Sequence, residues 1–405
     1  MAKTEGSVAR RRVFYIPGYD PFHPRRYREL YRKEGAAQAA LSGYALELSP
    51  RREGPYGWQV RAVIEGAEVE SEIEVLVWSD LVRASMGQSI PATYGQLFRT
   101  AWAYIGSGAL FRLMRLRKGP VIAALYPIGM LLGQLALALL AARAAGAAFA
   151  LALPAPFPWL GLLAVWPALA LFRRADSRVY AYYLMHDYAY SARWNGANPP
   201  ELEARMAAFG DRIAGALAED VDEVLVVGHS SGAHLAVSVL ADLIRAGRVP
   251  RGRPALSFLS LGQVVPMVTF LPGAGRLRAD LHFLSQRKEI AWVDVTAPGD
   301  GCAFALCDPV SVSGVAPEGK RWPLVLSAAF TRTLRPETWR RLRWRFFRLH
   351  FQYLCAFDAL SDDPGEYDYF RVTAGPRTLG ARFASRAPSK SRIEAPASRF
   401  TSMAA

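Results

Sequence analysis

Cysteine is scarce in this chain, with three residues in 405, Cys302, Cys307 and Cys355. A sparse, odd-numbered set excludes a disulfide framework and offers no zinc-ligand spacing, which fits a reducing compartment. Histidine is also rare, at six residues, so a catalytic imidazole has few possible sources. The N-terminus, MAKTEGSVARRR, has basic residues but no apolar core, and therefore lacks the form of a secretory signal. Acidic residues are outnumbered 35 to 49 by Lys and Arg, for a net charge of +14. No nucleic-acid motif accompanies that excess, nor does the aromatic and basic interleaving of single-strand binders. Attraction to anionic lipid headgroups explains it better.

What the chain has in quantity is apolar sequence, 52% by residue. Much of it is concentrated between Val121 and Phe172, where Arg143 is the one charged residue. Uncharged stretches of about 20 residues can span a bilayer as helix. Two spans are predicted. Their turn falls either near Arg143 or at Pro154–Pro158, where three prolines disrupt helical hydrogen bonding, and the second is preferred. Arg112, Arg115, Arg117 and Lys118 precede the hairpin, and Arg173, Arg174 and Arg178 follow it. By the positive-inside rule both large flanks and both termini are cytoplasmic, on an integral protein of the inner membrane.

Outside the hairpin, short apolar runs alternate with helical segments. RVFYI (12–16), 44–48, 58–64, 72–78, 224–227, 255–261 and 290–295 read as strands. Between and after them, 24–41, 201–217 and 232–248 read as helices. This is the pattern of an α/β fold with a mostly parallel sheet covered on both faces. The predicted division is 1–111 and 191–370 for the two parts of one domain, 112–190 for the hairpin and its interfacial flanks, and 371–405 for a basic, flexible tail.

The most informative stretch is VDEVLVVGHSSGA, residues 221–233. Four consecutive apolar residues end in Gly228-His229-Ser230-Ser231-Gly232, before an apolar helix. A G-x-S-x-G at such a strand-to-helix turn holds a serine where flanking side chains would collide, beside free helix N–H groups. Ser230 is the candidate nucleophile, and His229 an orienting or packing neighbour. Because a serine needs an imidazole and a carboxylate to become nucleophilic, both partners were sought further along the chain. Asp300, in the PGDG turn after strand 290–295, is the preferred acid over Asp294 and Asp308. His350, in WRFFRLHFQYLCAF, is the preferred base over His282. His234 reads as a core histidine. The His186-Asp187 pair falls outside the expected site, because adjacent helical residues point in different directions.

With PGYD (17–20), VVGHSSGA, WVDVTAPGD and RLHFQY in place, the chain resembles the α/β-hydrolase superfamily, and within it membrane-anchored lipase- or esterase-like members. The resemblance implies Ser230 as nucleophile, Asp300 as acid and His350 as base, with the N–H groups of Tyr19 and Ser231 as oxyanion donors. It implies hydrolysis of an ester or thioester of a lipid or other apolar acyl substrate at an anionic membrane surface, without cofactor or metal. Transfer of the acyl group to an acceptor other than water, and a catalytically silent scaffold, stay open as alternatives.

Overall fold

The computed structural model describes residues 6–51, 53–151, 157–359 and 366–404. Eight strands form one sheet: β1 (Arg10–Ile16), β2 (Ala45–Pro50), β3 (Gly57–Ile64), β4 (Ala67–Val75), β5 (Glu223–His229), β6 (Ala255–Leu261), β7 (Ile290–Thr296) and β8 (Leu324–Ser327). Their spatial order is β2-β3-β4-β1-β5-β6-β7-β8. β2, β3 and β4 pair antiparallel, and every pairing from β4 through β1 to β8 is parallel. The fold is therefore α/β with a mostly parallel sheet. β8 escaped the sequence reading, because a four-residue strand behind a proline carries almost no periodic signal.

The uninterrupted apolar run of β5 follows from its place beside β1 and β6, covered on both faces: all seven of its residues are buried. Leu225 and Val227 join Val13, Tyr15, Leu259 and Val293 on one face. Val224 and Val226 join Phe14, Phe258 and Trp292 on the other, under helices Pro200–Leu217 and Ser231–Arg245. Two-residue periodicity thus divides one strand between two cores.

The apolar excursion differs from the predicted hairpin. Helix Lys118–Ala150 runs through Arg143 without a break, which excludes a turn there. Its 33 residues extend about 50 Å at 1.5 Å per residue, beyond the ~30 Å of a bilayer core. Among the described residues it is the one helix long and apolar enough to cross a membrane. The return arm is not a second such helix: it is a 3-10 segment, Phe157–Ala164, followed by a ten-residue α-helix, Val165–Arg174. Proline chemistry and close packing account for the difference. Pro167 lies in the first turn of the short helix, where its missing N–H costs no intrahelical bond. At Gly161 the backbones meet so closely that a Cβ would lie 2.3 Å from the Ala142 carbonyl oxygen. The first three residues of the predicted Pro154–Pro158 turn lie outside the described residues.

The C-terminal segment also departs from expectation, because it is built into the fold. Arg11, buried beside Glu223 at 2.6 Å, donates to the carbonyls of Gly375 and Arg377. Phe370, Leu379 and Phe383 enter the core, Ile393 pairs with Cys307, and Arg278 reaches the Ser402 carbonyl. Composition concealed this, since a few apolar anchors and backbone acceptors suffice to hold an otherwise polar strap.

Candidate active site

Ser230 sits where β5 ends and helix Ser231–Arg245 begins, with φ 57° and ψ −122°. A non-glycine residue at positive φ is strained, and such strain persists only where the surroundings over-determine it. Here they do. A Cβ at Gly228 would lie 2.7 Å from the Ala233 Cα, and one at Gly232 would lie 2.1 Å from the Ile16 carbonyl oxygen. The two glycines let strand and helix converge, and the residue between them is forced outward. Gly18, in the loop after β1, faces it: a Cβ there would come within 2.9 Å of the Ser230 Cβ. That loop is tied by the Trp78 indole, which donates to the Pro17 carbonyl at 2.9 Å.

Asp300, in the loop after β7, and His350, at the end of helix Phe346–His350, are brought together. His350 Nδ1 donates to Asp300 Oδ2 at 2.7 Å, with both side chains almost wholly buried. An ionised carboxylate only accepts, so Nδ1 carries the hydrogen of this bond. Asp300 also accepts from the Tyr353 hydroxyl at 3.0 Å and from the Cys302 N–H at 2.8 Å. Burial alone would push its carboxyl up, but the charge of His350 and these hydrogen bonds together hold it below the ordinary value. The His350 backbone is fixed as well: its carbonyl accepts from His229 Nε2 at 2.9 Å. Burial, followed by the neighbouring His350, lowers His229 to about 3, so that ring is a neutral donor.

Ser230, Ser231, Tyr19 and His350 all line one cavity of about 230 Å³. The Ser231 N–H belongs to a helical first turn, whose amides have no intrahelical acceptor. The Tyr19 ring packs against Trp78 and Tyr190, and its carbonyl accepts from the Tyr183 hydroxyl at 2.6 Å. The five residues singled out from sequence thus lie around one centre, with Asp300 reaching it through His350.

The competitors are engaged elsewhere. Asp294 is buried inside β7 against Ser260 Oγ at 2.5 Å, and burial pushes its carboxyl up to about 8. Asp308 caps helix Pro309–Val312 and pairs with Lys320. His282 contacts the Val315 carbonyl. His234 is buried in the cavity wall and lowered by that burial to about 4.

Three contributors escaped the sequence reading. Tyr353 couples the acid to the sheet, since its hydroxyl also accepts from the Ala297 N–H at 3.0 Å. Its only sequence signal was a place three residues beyond His350. Gly262, at φ 53°, leaves room for both rings: a Cβ there would lie 2.7 Å from Tyr353 and 3.1 Å from the His350 Cε1. Asp187 lines the cavity while its neighbour His186 turns away to Gln96. The two side chains do point in different directions, and it is Asp187 that reaches the cavity.

Among the described residues, Asp300, Cys302 and His350 form the one metal-ligand grouping, with donor atoms within 4.8 Å of one another. Asp300 and His350 are already bonded to each other, and burial pushes the Cys302 thiol well up, which favours its neutral, weakly ligating form. Compared with known proteins, the chain matches no family model, no curated protein and no solved structure.

Proposed function

We propose that this chain is a membrane-anchored serine hydrolase of the α/β-hydrolase kind, cleaving an ester or thioester of an apolar acyl group. The observation that carries this reading is the placement of Ser230, on a strained turn, in one cavity with a histidine whose Nδ1 is held by a buried carboxylate. Attack of Ser230 Oγ on the substrate carbonyl forms a C–O bond as its proton passes to His350 Nε2. The oxyanion is received by the N–H groups of Ser231 and Tyr19. Collapse expels the alcohol or thiol, which takes the proton from the imidazolium and leaves an acyl-serine. Water, deprotonated by His350, then releases the acid and restores Ser230.

The apolar acyl class is supported by Val264, Met267 and Val268 in the cavity wall. A membrane origin for the substrate is supported by the foot of the long helix. Pro120 lines the cavity, and Arg117 Nε donates to the Ala305 carbonyl at 2.7 Å, close after the loop that carries Asp300. Farther along, Leu140, Leu151, Trp159 and Leu163 are exposed by 62%, 91%, 73% and 72%. So much uncovered apolar surface calls for lipid or a partner. The basic flanks Arg112–Lys118 and Arg173–Arg178 favour the cytoplasmic face of the inner membrane for both large parts of the chain.

Labelling with a fluorophosphonate in isolated membranes tests the nucleophile. Wild type should be labelled and Ser230→Ala should not, with both present at equal level. Equal labelling, or none in folded wild type, sinks the proposal.

A further inference from the structure

The cavity wall holds one pair of opposite charges and one carboxyl outside it. Asp20 accepts from Arg26 at 2.9 Å and from the Tyr27 hydroxyl at 2.5 Å, so that acid and that base neutralise each other. His229 and His234, lowered to about 3 and about 4 chiefly by burial, add no charge near neutrality. The Asp187 carboxyl has no hydrogen bond or ion pair among the described residues. Two hydroxyls of the same cavity are used elsewhere: Tyr183 donates to the Tyr19 carbonyl and Tyr104 to the Met267 carbonyl. The chain carries a net charge of +14, yet its catalytic cavity contains an acid without a counter-charge.

That acid shares its cavity with aromatic rings. Tyr180, Tyr183 and Phe347 line the cavity with mutual ring-centroid distances of 5.6, 6.2 and 6.4 Å, and Tyr188 adds a fourth ring. Aromatic faces carry negative potential and attract cations, ammonium groups in particular. A carboxylate beside such faces is complementary to a substituted ammonium ion. For a neutral substrate the same carboxylate would be a liability, because its charge opposes the oxyanion that forms beside it.

We propose that this cavity selects acyl esters bearing an ammonium group, held by the Asp187 carboxylate and the rings of Tyr180, Tyr183 and Phe347. The proposal rests on the acyl-serine reading and specifies the substrate of the same site. Burial pushes the Asp187 carboxyl up to about 7, against the pull of His350. A bound ammonium group supplies the missing counter-charge and brings the carboxylate fully into its ionised form. With the cation seated, the cavity is close to neutral, and the oxyanion no longer forms against an unpaired negative charge.

Two esters of equal shape separate charge from fit. Choline hexanoate and 3,3-dimethylbutyl hexanoate differ in one atom, a quaternary nitrogen in place of a carbon. Each yields hexanoate and an alcohol on addition of one water. With the full-length protein in detergent, wild type should favour the choline ester in kcat/KM by at least about tenfold, since a carboxylate in a water-poor cavity adds to the weaker attraction of the rings for the cation. In Asp187→Asn that ratio should fall to within about threefold of one, because the rings remain while the charge is gone. Equal rates in wild type, or an undiminished preference in Asp187→Asn, overturn the proposal. If neither ester is cleaved and Ser230 takes no fluorophosphonate, the acyl-serine reading has failed. Calorimetric binding of hexyltrimethylammonium to wild type and Asp187→Asn then decides the cation site: Asp187-dependent binding supports it, and its absence overturns it.

Discussion

Asp300, in the loop after β7, and Asp187, on helix Ala181–Ala192, are two carboxyls coupled electrostatically to the same histidine, and the fold treats them in opposite ways. Asp300 is buried and fully served, by an imidazole, a phenol and an amide, and its carboxyl is held low. Asp187 is half-buried at the cavity surface without such donors, and its carboxyl is pushed high. Burial raises the pKa of both; hydrogen-bond donors reverse its effect on one alone. A carboxylate satisfied within the protein can orient a catalytic base. One left unsatisfied is available to something from outside.

The largest test of this contrast is Asp300→Asn. With the carboxylate gone, the His350 tautomer is no longer enforced, and kcat for ester hydrolysis should fall by about 10⁴, the scale seen for this change in Ser-His-Asp triads. A loss below tenfold would assign the orienting role elsewhere. Tyr353→Phe is the next smaller. It removes one donor from Asp300, and hydrogen bonds to charged groups contribute ~1.5–3 kcal/mol, so kcat should drop on the order of tenfold to a hundredfold. An unchanged kcat in a folded variant would show that the two remaining donors hold the carboxylate alone.

The smallest effect is expected from Asp187→Asn, read as stability rather than rate. The folded protein favours protonated Asp187, so its contribution is fully present below the ordinary value of 3.8 and is lost as pH rises towards about 7. Asparagine does not titrate. The melting temperature of the variant relative to wild type should therefore rise between pH 5 and pH 8. A flat difference would mean that water already serves the carboxyl, which would bring the two acids closer together in character.

A different pair of regions shows how much the sequence disclosed. The sheet was legible because its strands are either continuous apolar runs or alternating ones, and a period of two admits little else. The elbow at Ser230 was legible because two glycines in five residues mark a turn too tight for side chains. The apolar excursion was misread in part: hydropathy measures how apolar a segment is, and both arms are apolar. It says nothing of the contact at Gly161, where the return arm takes up a 3-10 segment and then a short helix. The C-terminal strap was missed for the converse reason, since backbone acceptors such as the Gly375 and Arg377 carbonyls leave no trace in composition.

What the sequence determined by itself was local: which segments are strand or helix, where the serine turn lies, and which Asp and His could follow it in order. Periodicity and steric exclusion act between near neighbours and can be read along the chain. Tertiary structure decided everything that depends on distance across the fold, including the 2.7 Å bond between His350 and Asp300 and the support of Tyr353 behind it. It also decided that two carboxyls of identical chemistry have opposite character. That character comes from the donors that reach each oxygen, and two of those serving Asp300, the His350 ring and the Tyr353 hydroxyl, arrive from 50 and 53 residues further along the chain.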